Sequence, residues 1–174
     1  MPRHDSDFRT PFRPPPLNGY LNSSVRTAVR AVVIDGGRIL AVRLRDRDGD
    51  FHLLPGGGQK SGETMHDTLR RECMEELGVS IRIGEFLFVR EYIGRNHDFS
   101  YRHANFHQVE VVFRCELEDA SLLRMGSGRD MRQVGFDWLD LSTLGEQRFF
   151  PKVLADFVKD GEIVVPRHYL GDVN

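Results

Sequence analysis

The residues best able to do chemistry sit in one short stretch. Glu63, Arg71, Glu72, Glu75 and Glu76 lie between Gly57 and Val79, behind a turn holding three successive glycines, Gly56 to Gly58. On a helix at about 100° per residue, Glu72, Glu75 and Glu76 stand at i, i+3 and i+4, so three carboxylates project from one arc about 100° wide. Such a cluster repels itself, and each carboxylate raises the pKa of the others unless a cation joins them. Hard divalent ions such as Mg²⁺ and Mn²⁺ take oxygen ligands and retain several waters, so a few carboxylates and substrate phosphates complete their shell. A guanidinium binds carboxylate in a planar fork, which lets Arg71 hold Glu63 or a neighbouring glutamate in one rotamer. The glycines let main-chain groups approach an ion or phosphate where a Cβ would obstruct them.

The elements that must position these residues follow from local signals. Thr64 to Leu77 reads as a helix, with Thr64 as N-cap, Asp67 as its capping-box partner and Gly78 as the stop. Leu69, Cys73 and Leu77 form an adjoining apolar stripe that would anchor this helix on a sheet. Val25–Ile34 and Arg38–Arg45 are strand-like and flank Asp35-Gly36-Gly37, a hairpin signal. Phe51–Leu54, Val79–Tyr92, His107–Glu116 and Val134–Leu139 are further strands by β-branched and aromatic content, and Phe149–Lys159 is expected to be a second amphipathic helix. Short strands with one central and one late helix predict an α+β sandwich with a mixed sheet. Residues 1–24 hold five of the eight prolines and predict an extended N-terminal arm, followed by one domain over residues 25–174.

The helix and its preceding turn resemble the Nudix box, the signature of the Nudix hydrolase superfamily: a glycine, then Glu, Arg-Glu, Glu-Glu and Gly at fixed spacings, met here by Gly57, Glu63, Arg71, Glu72, Glu75, Glu76 and Gly78. Cys73 departs from the pattern, standing where a bulky aliphatic residue is usual. The resemblance covers 23 of 174 residues. It implies an α/β/α sandwich and a pyrophosphohydrolase acting on phosphorus-containing anhydrides, namely a nucleoside diphosphate linked to another moiety. That class includes nucleoside triphosphates, nucleotide sugars and dinucleoside polyphosphates. It further implies that Glu72, Glu75, Glu76 and the Gly56 carbonyl ligate Mg²⁺ or Mn²⁺, while Arg71 and Glu63 orient the ligands. The alternative is a non-catalytic, Nudix-like nucleotide sensor or regulatory module.

Substrate recognition must come from elsewhere in the chain. Arg43, Arg45 and Arg90 on strands are candidates to meet phosphates, and Tyr92, Phe88 and Phe106 to stack on a base. Acidic or amide groups near the site after residue 120 are Asp130, Gln133 and Asp137, and His97, His103 and His107 have no chelating spacing.

The formal net charge of −2, with 21 Arg and 3 Lys among the cations, provides no field for specific nucleic-acid binding. Two cysteines outside any metal or disulfide framework suit a reducing cytoplasm, and apolar runs such as Ala31–Ile34 are too short to cross a bilayer. The partner expected is a nucleotide-derived small molecule, with no membrane. The proline-rich arm makes a homodimer the arrangement to test.

Overall fold

A computed structural model describes residues 24–98, 100–128 and 130–174. The arm expected over residues 1–24 lies, but for Ser24, outside them. The hairpin forms as its glycines predict: β1 (Arg26–Asp35) and β2 (Arg38–Asp46) meet at Asp35 and Arg38, with Gly36 and Gly37 at φ 55° and 74°. Positive φ at both turn residues matches the twist of the strands, and only glycine takes it without strain.

Beyond that turn β1 leaves its partner. It stays beside β2 only at Ile34 and Asp35, then runs parallel to β6 (His107–Leu117) and antiparallel to the short β4 (Gly56–Gly58). Two halves of one curled, mixed sheet therefore share β1. The first continues through β6 to β5 (Ile81–Ile93) and β11 (Tyr169–Asp172). The second holds β2, β3 (Gly49–Leu53), β7 (Gln133–Asp140) and β8 (Phe149–Phe150).

The core divides accordingly. Val29, Ala31 and Val33 of β1 pack with Leu69, Cys73 and Leu77 of the long helix α1 (Met65–Leu77) and with Leu40, Val42 and Leu44 of β2. On the other side Val32, Phe88 and Val112 pack with Ile39, Phe149 and Leu154. Helix, sheet and an irregular C-terminal layer thus form the α+β sandwich that the pattern of elements predicts. Among the described residues no helix is long and apolar enough to cross a membrane.

The helix expected over Phe149–Lys159 does not form. Phe149 and Phe150 make strand β8, parallel to β3, and are followed by a 3-10 segment over Lys152–Phe157 and a small hairpin, β9 (Val158–Lys159) with β10 (Glu162–Ile163). Two forces override the helical spacing. Pro151 lacks an N–H, and the adjacent Phe149 and Phe150 are buried in opposite core clusters, which strand alternation allows and a helix face does not.

Leu154 is nonetheless fully buried within that 3-10 segment, while Lys152 is exposed beside Asp98. Leu154→Ala is therefore expected to lower unfolding stability by about 2–4 kcal/mol. Lys152→Ala should stay within about 0.5 kcal/mol of the parent in the same urea titrations.

Candidate active site

Helix α1 is fixed at both ends by local chemistry. The Thr64 hydroxyl accepts the Asp67 N–H at 3.1 Å, and the Asp67 carboxylate accepts the Thr64 N–H at 3.2 Å. At the other end Gly78, left-handed at φ 63°, donates its N–H to the Met74 carbonyl. With Leu69, Cys73 and Leu77 buried against β1, the helix cannot rotate without exposing them, and Glu72, Glu75 and Glu76 are held beside β4.

Arg71 ties the cluster together. Its Nε and Nη2 donate to the two oxygens of Glu63 at 2.6 and 3.0 Å, a bidentate pair, and Nη2 also donates to the Gly58 carbonyl at 3.0 Å. Nη1 donates to Glu72 at 2.7 Å and to Glu75 at 3.1 Å. Glu63 further accepts the Lys60 N–H and the Thr68 hydroxyl. The Arg71 hydrogen bonds, then the Lys60 N–H, pull the Glu63 carboxyl down to about 2.

Glu76 behaves in the opposite way. Burial pushes its carboxyl up to about 7, with the charge of Glu72 adding to the effect, against the opposing pull of the Gly56 N–H at 2.8 Å and of Arg30. The glycines of β4 make these approaches possible. A Cβ on Gly57 would stand 2.5 Å from the carboxyl carbon of Glu72, and Gly56, at φ 121°, has the Val29 carbonyl where its Cβ would be.

Where the two sheet halves splay apart beside this cluster, a cavity of about 220 Å³ opens. Its first wall comes from one face of β1, β5 and β6, which changes character along its length. Phe88, Val112 and Val32 are core, whereas Arg90, Tyr92, Glu110, Gln108, Arg30 and Arg26 beyond them line the cavity. Phe51 and Phe150 from the second half, with Phe106, supply aromatic surface. At its floor Glu110 accepts Arg30 Nε at 3.1 Å, Arg90 Nε at 2.6 Å and Gln108 Nε2 at 2.7 Å. Burial alone would raise the Glu110 carboxyl, yet Arg90 and Arg30 hold it below its ordinary value. Arg30 also donates to the Leu54 and Gly56 carbonyls, linking the cavity floor to the glycine turn.

The box residues named from sequence thus converge, and so does part of the expected recognition set. Arg90 and Tyr92 line the cavity, but Arg90 is spent on Glu110 and the Val173 carbonyl. The Tyr92 ring stacks on His97 at 5.0 Å, and burial pushes its hydroxyl up to about 12. Arg43 and Arg45 do not reach the cavity. Strand alternation turns Leu44 and Asp46 of β2 inward and these two arginines outward, where Arg43 lies 3.5 Å from Asp137 and Arg45 bonds Asp50 at 2.6 Å. Phe88 is fully buried core and stacks on no ligand, while Phe106 lines the cavity. Asp137 is engaged by His52, Gln133 bonds the Glu76 carbonyl, and Asp130 holds Arg132. His97, His103 and His107 each bond a different partner, Asp172, Tyr92 and Glu91.

Sequence reasoning missed Arg26, Arg30, Gln108 and Glu110. A signal was present: a charged residue stands in line with the apolar inward positions of each of three strands, Arg30, Arg90 and Glu110. In donor chemistry Glu72, Glu75, Glu76 and the Gly56 carbonyl suit a hard divalent cation, since Glu72 and Glu75 are near enough to share one Arg71 nitrogen and Glu76 bonds the glycine turn. In the rotamers seen their oxygens face N–H donors, and among the described residues no three acidic, His or Cys side chains converge as a ligand group.

Fold and site together define a mixed-sheet sandwich protein with a glycine-backed carboxylate cluster at the edge of an aromatic and arginine-rich cavity. A family model of the NUDIX domain matches residues 24–160, and the chain belongs to that family. It is 26% identical over 131 residues to "Nucleoside diphosphate-linked moiety X motif 6" of Xenopus laevis, covering 75% of this chain and 56% of that protein. It is 39% identical over 61 residues to "Nucleoside triphosphatase NudI" of Enterobacter sp., covering 33% of this chain and 43% of that protein. The chain spans about half the length of these curated relatives. In fold it is similar to the crystal structure of the MutT protein from Methanosarcina mazei Go1, with a TM-score of 0.60 at 16% identity, covering 78% of this chain and 91% of that one.

The depressed Glu63 carboxyl sets a pH dependence. Its folded value of about 2 lies below the ordinary 4.5, so the unfolded chain binds the proton more tightly and the stabilisation is present above about pH 4.5 and lost as pH falls through about 2. Glu63→Gln should accordingly have a lower thermal midpoint than the parent at pH 5–7, and the two curves should converge on acidification. A gap that stays constant from pH 7 down to about pH 2 would refute the assignment.

Proposed function

We propose that this chain is a divalent-metal-dependent pyrophosphohydrolase that cleaves a phosphoanhydride bond in a nucleoside diphosphate linked to another moiety. One observation carries the reading: Glu63, Arg71, Glu72 and Glu75 form one hydrogen-bonded cluster, Glu76 joins it through the glycine turn, and Arg30 links that turn to a cavity with aromatic walls. A sensor that only binds nucleotide has no use for three carboxylates held against each other by so many donors. The names of the two curated relatives, one a nucleoside triphosphatase and the other tied to nucleoside diphosphate-linked moieties, support the same substrate class.

In this reading Glu72, Glu75, Glu76 and the Gly56 carbonyl would hold Mg²⁺ or Mn²⁺, which when bound would supply charge neutralisation for the pyrophosphate and a more acidic water. The chain's own work is positioning. Arg71 fixes the rotamers of Glu72 and Glu75, Glu63 fixes Arg71, and the capped helix keeps all of them on the glycine turn. Burial of Glu76 disfavours its charged form, so this carboxylate gains from a cation beside it. Phe106, with Tyr92 beside it, offers aromatic surface for a base, and Arg30, bonded to the Gly56 carbonyl, sets that cavity next to the glycine turn behind the box.

Turnover of a panel of nucleoside triphosphates, nucleotide sugars and dinucleoside polyphosphates with Mg²⁺ tests this reading. Glu75→Gln and Glu76→Gln should each lower kcat by about 100-fold or more while the circular-dichroism spectrum is unchanged. If no compound is cleaved, or both variants keep parental rates, the chemistry assigned here is wrong.

A further inference from the structure

Resting on that reading, we propose that Arg26 is the clamp for the substrate phosphate lying between the carboxylate cluster and the aromatic cavity. The other charged groups of the cavity are already engaged: Arg30 and Arg90 with Glu110, Asp46 with Arg148, and Arg132 with Asp130. The Arg26 side chain makes no ion pair or hydrogen bond among the described residues, although it lines the same cavity at the outer end of β1. Arg30, Glu72 and Glu110 act on it only through space, the first repelling and the other two attracting. A guanidinium without a partner, set between a carboxylate cluster and aromatic walls, is a donor fork for an anion, and phosphate matches its geometry.

Its place is set by the glycine turn. Ala28 of β1 pairs with Gly58 of β4, and the Arg26 side chain lies across Gly58, with its guanidinium where a Cβ on that glycine would be. The Gly58 carbonyl is meanwhile held by Arg71. One residue thus presents its carbonyl to the arginine that orients the box and its bare Cα to the arginine assigned to substrate. A phosphate gripped there lies next to Glu72, and the group it carries points toward Tyr92 and Phe106 in a cavity of about 220 Å³, room for one ring system. Arg30 cannot serve instead, because it is bound to Glu110 and to the Leu54 and Gly56 carbonyls.

The geometry provides two independent ways to remove the clamp. Arg26→Ala deletes the guanidinium. Gly58→Ala keeps the charge but drives it aside, and it is expected to fold, since the atoms nearest the new methyl all belong to the end of a flexible side chain and Gly58 is not at positive φ. Isothermal titration with inorganic pyrophosphate and four nucleoside triphosphates in EDTA should show wild-type binding. Both variants should weaken it by about tenfold or more, and Arg26→Lys should retain part of it. Arg82→Ala, at an exposed pair with Glu116, is the control and should bind as wild type. Equal thermal midpoints across the set would show that binding, not folding, has changed.

Wild-type protein that binds none of these probes, or an Arg26→Ala variant that binds them within twofold of wild type, overturns the clamp. So does loss of binding in Gly58→Ala alone, which would place the effect in the turn. The outcomes separate from those of the hydrolase reading. Arg26-dependent binding with no turnover sinks catalysis and keeps the clamp, while turnover that depends on Glu75 and is indifferent to Arg26 does the reverse.

Discussion

Five hydrogen bonds radiate from the Arg71 guanidinium, and through them the glycine turn and the helix become one site. Three carboxylates at i, i+3 and i+4 repel each other wherever the solvent is partly excluded, and a flexible ammonium could neutralise them without ordering them. A planar fork does both, since each N–H direction is fixed by the others. Glu63 completes the arrangement by taking two of those donors, and its own remaining capacity is filled by Lys60 and Thr68. Arg71 therefore has one available pose, and Glu72 and Glu75 inherit it.

That pose is useful only if the turn comes close, which is why β4 is made of glycine. Gly57 meets the Glu72 carboxyl, Gly56 meets the backbone of β1, and Gly58 meets the Arg26 side chain. A side chain at any of the three would push apart partners that the site needs in contact. The short pairing of β4 with β1 at Ala28, Val29 and Arg30 then carries the position of the turn into the main sheet. Strand β1 is the common member: it holds the turn, supports the helix through Val29, Ala31 and Val33, and lends Arg26 and Arg30 to the cavity.

Buried charge in the cavity floor follows the same economy. Glu110 is almost entirely enclosed, and an unpaired carboxylate there would be costly. Arg30, Arg90 and Gln108 satisfy it from three strands, so the network also locks the register of β1, β5 and β6 where the surrounding residues turn polar. Replacing one member would leave the others as unsatisfied buried charge.

The helix, both its caps, the first hairpin and the convergence of Glu63, Arg71, Glu72, Glu75 and Glu76 were all legible in the sequence, because each depends on contacts only a few residues apart. Capping boxes, Gly-Gly turns and i+4 spacings are local rules, and the family's motif is a string of such rules. The cavity was legible only in outline. Arg43 and Arg90 look alike as strand arginines, and which one faces inward depends on the strand that crosses it, with Glu110 lying 20 residues from Arg90 and 80 from Arg30. The failure of the Phe149–Lys159 helix has the same origin, since burial of Phe149 and Phe150 in different clusters is a property of the packed sheet. Short-range chemistry in the chain determined what the site is made of. Register and packing between distant strands decided which arginines face the cavity and which are paired away from it, because pairing with a distant partner leaves no trace in local spacing.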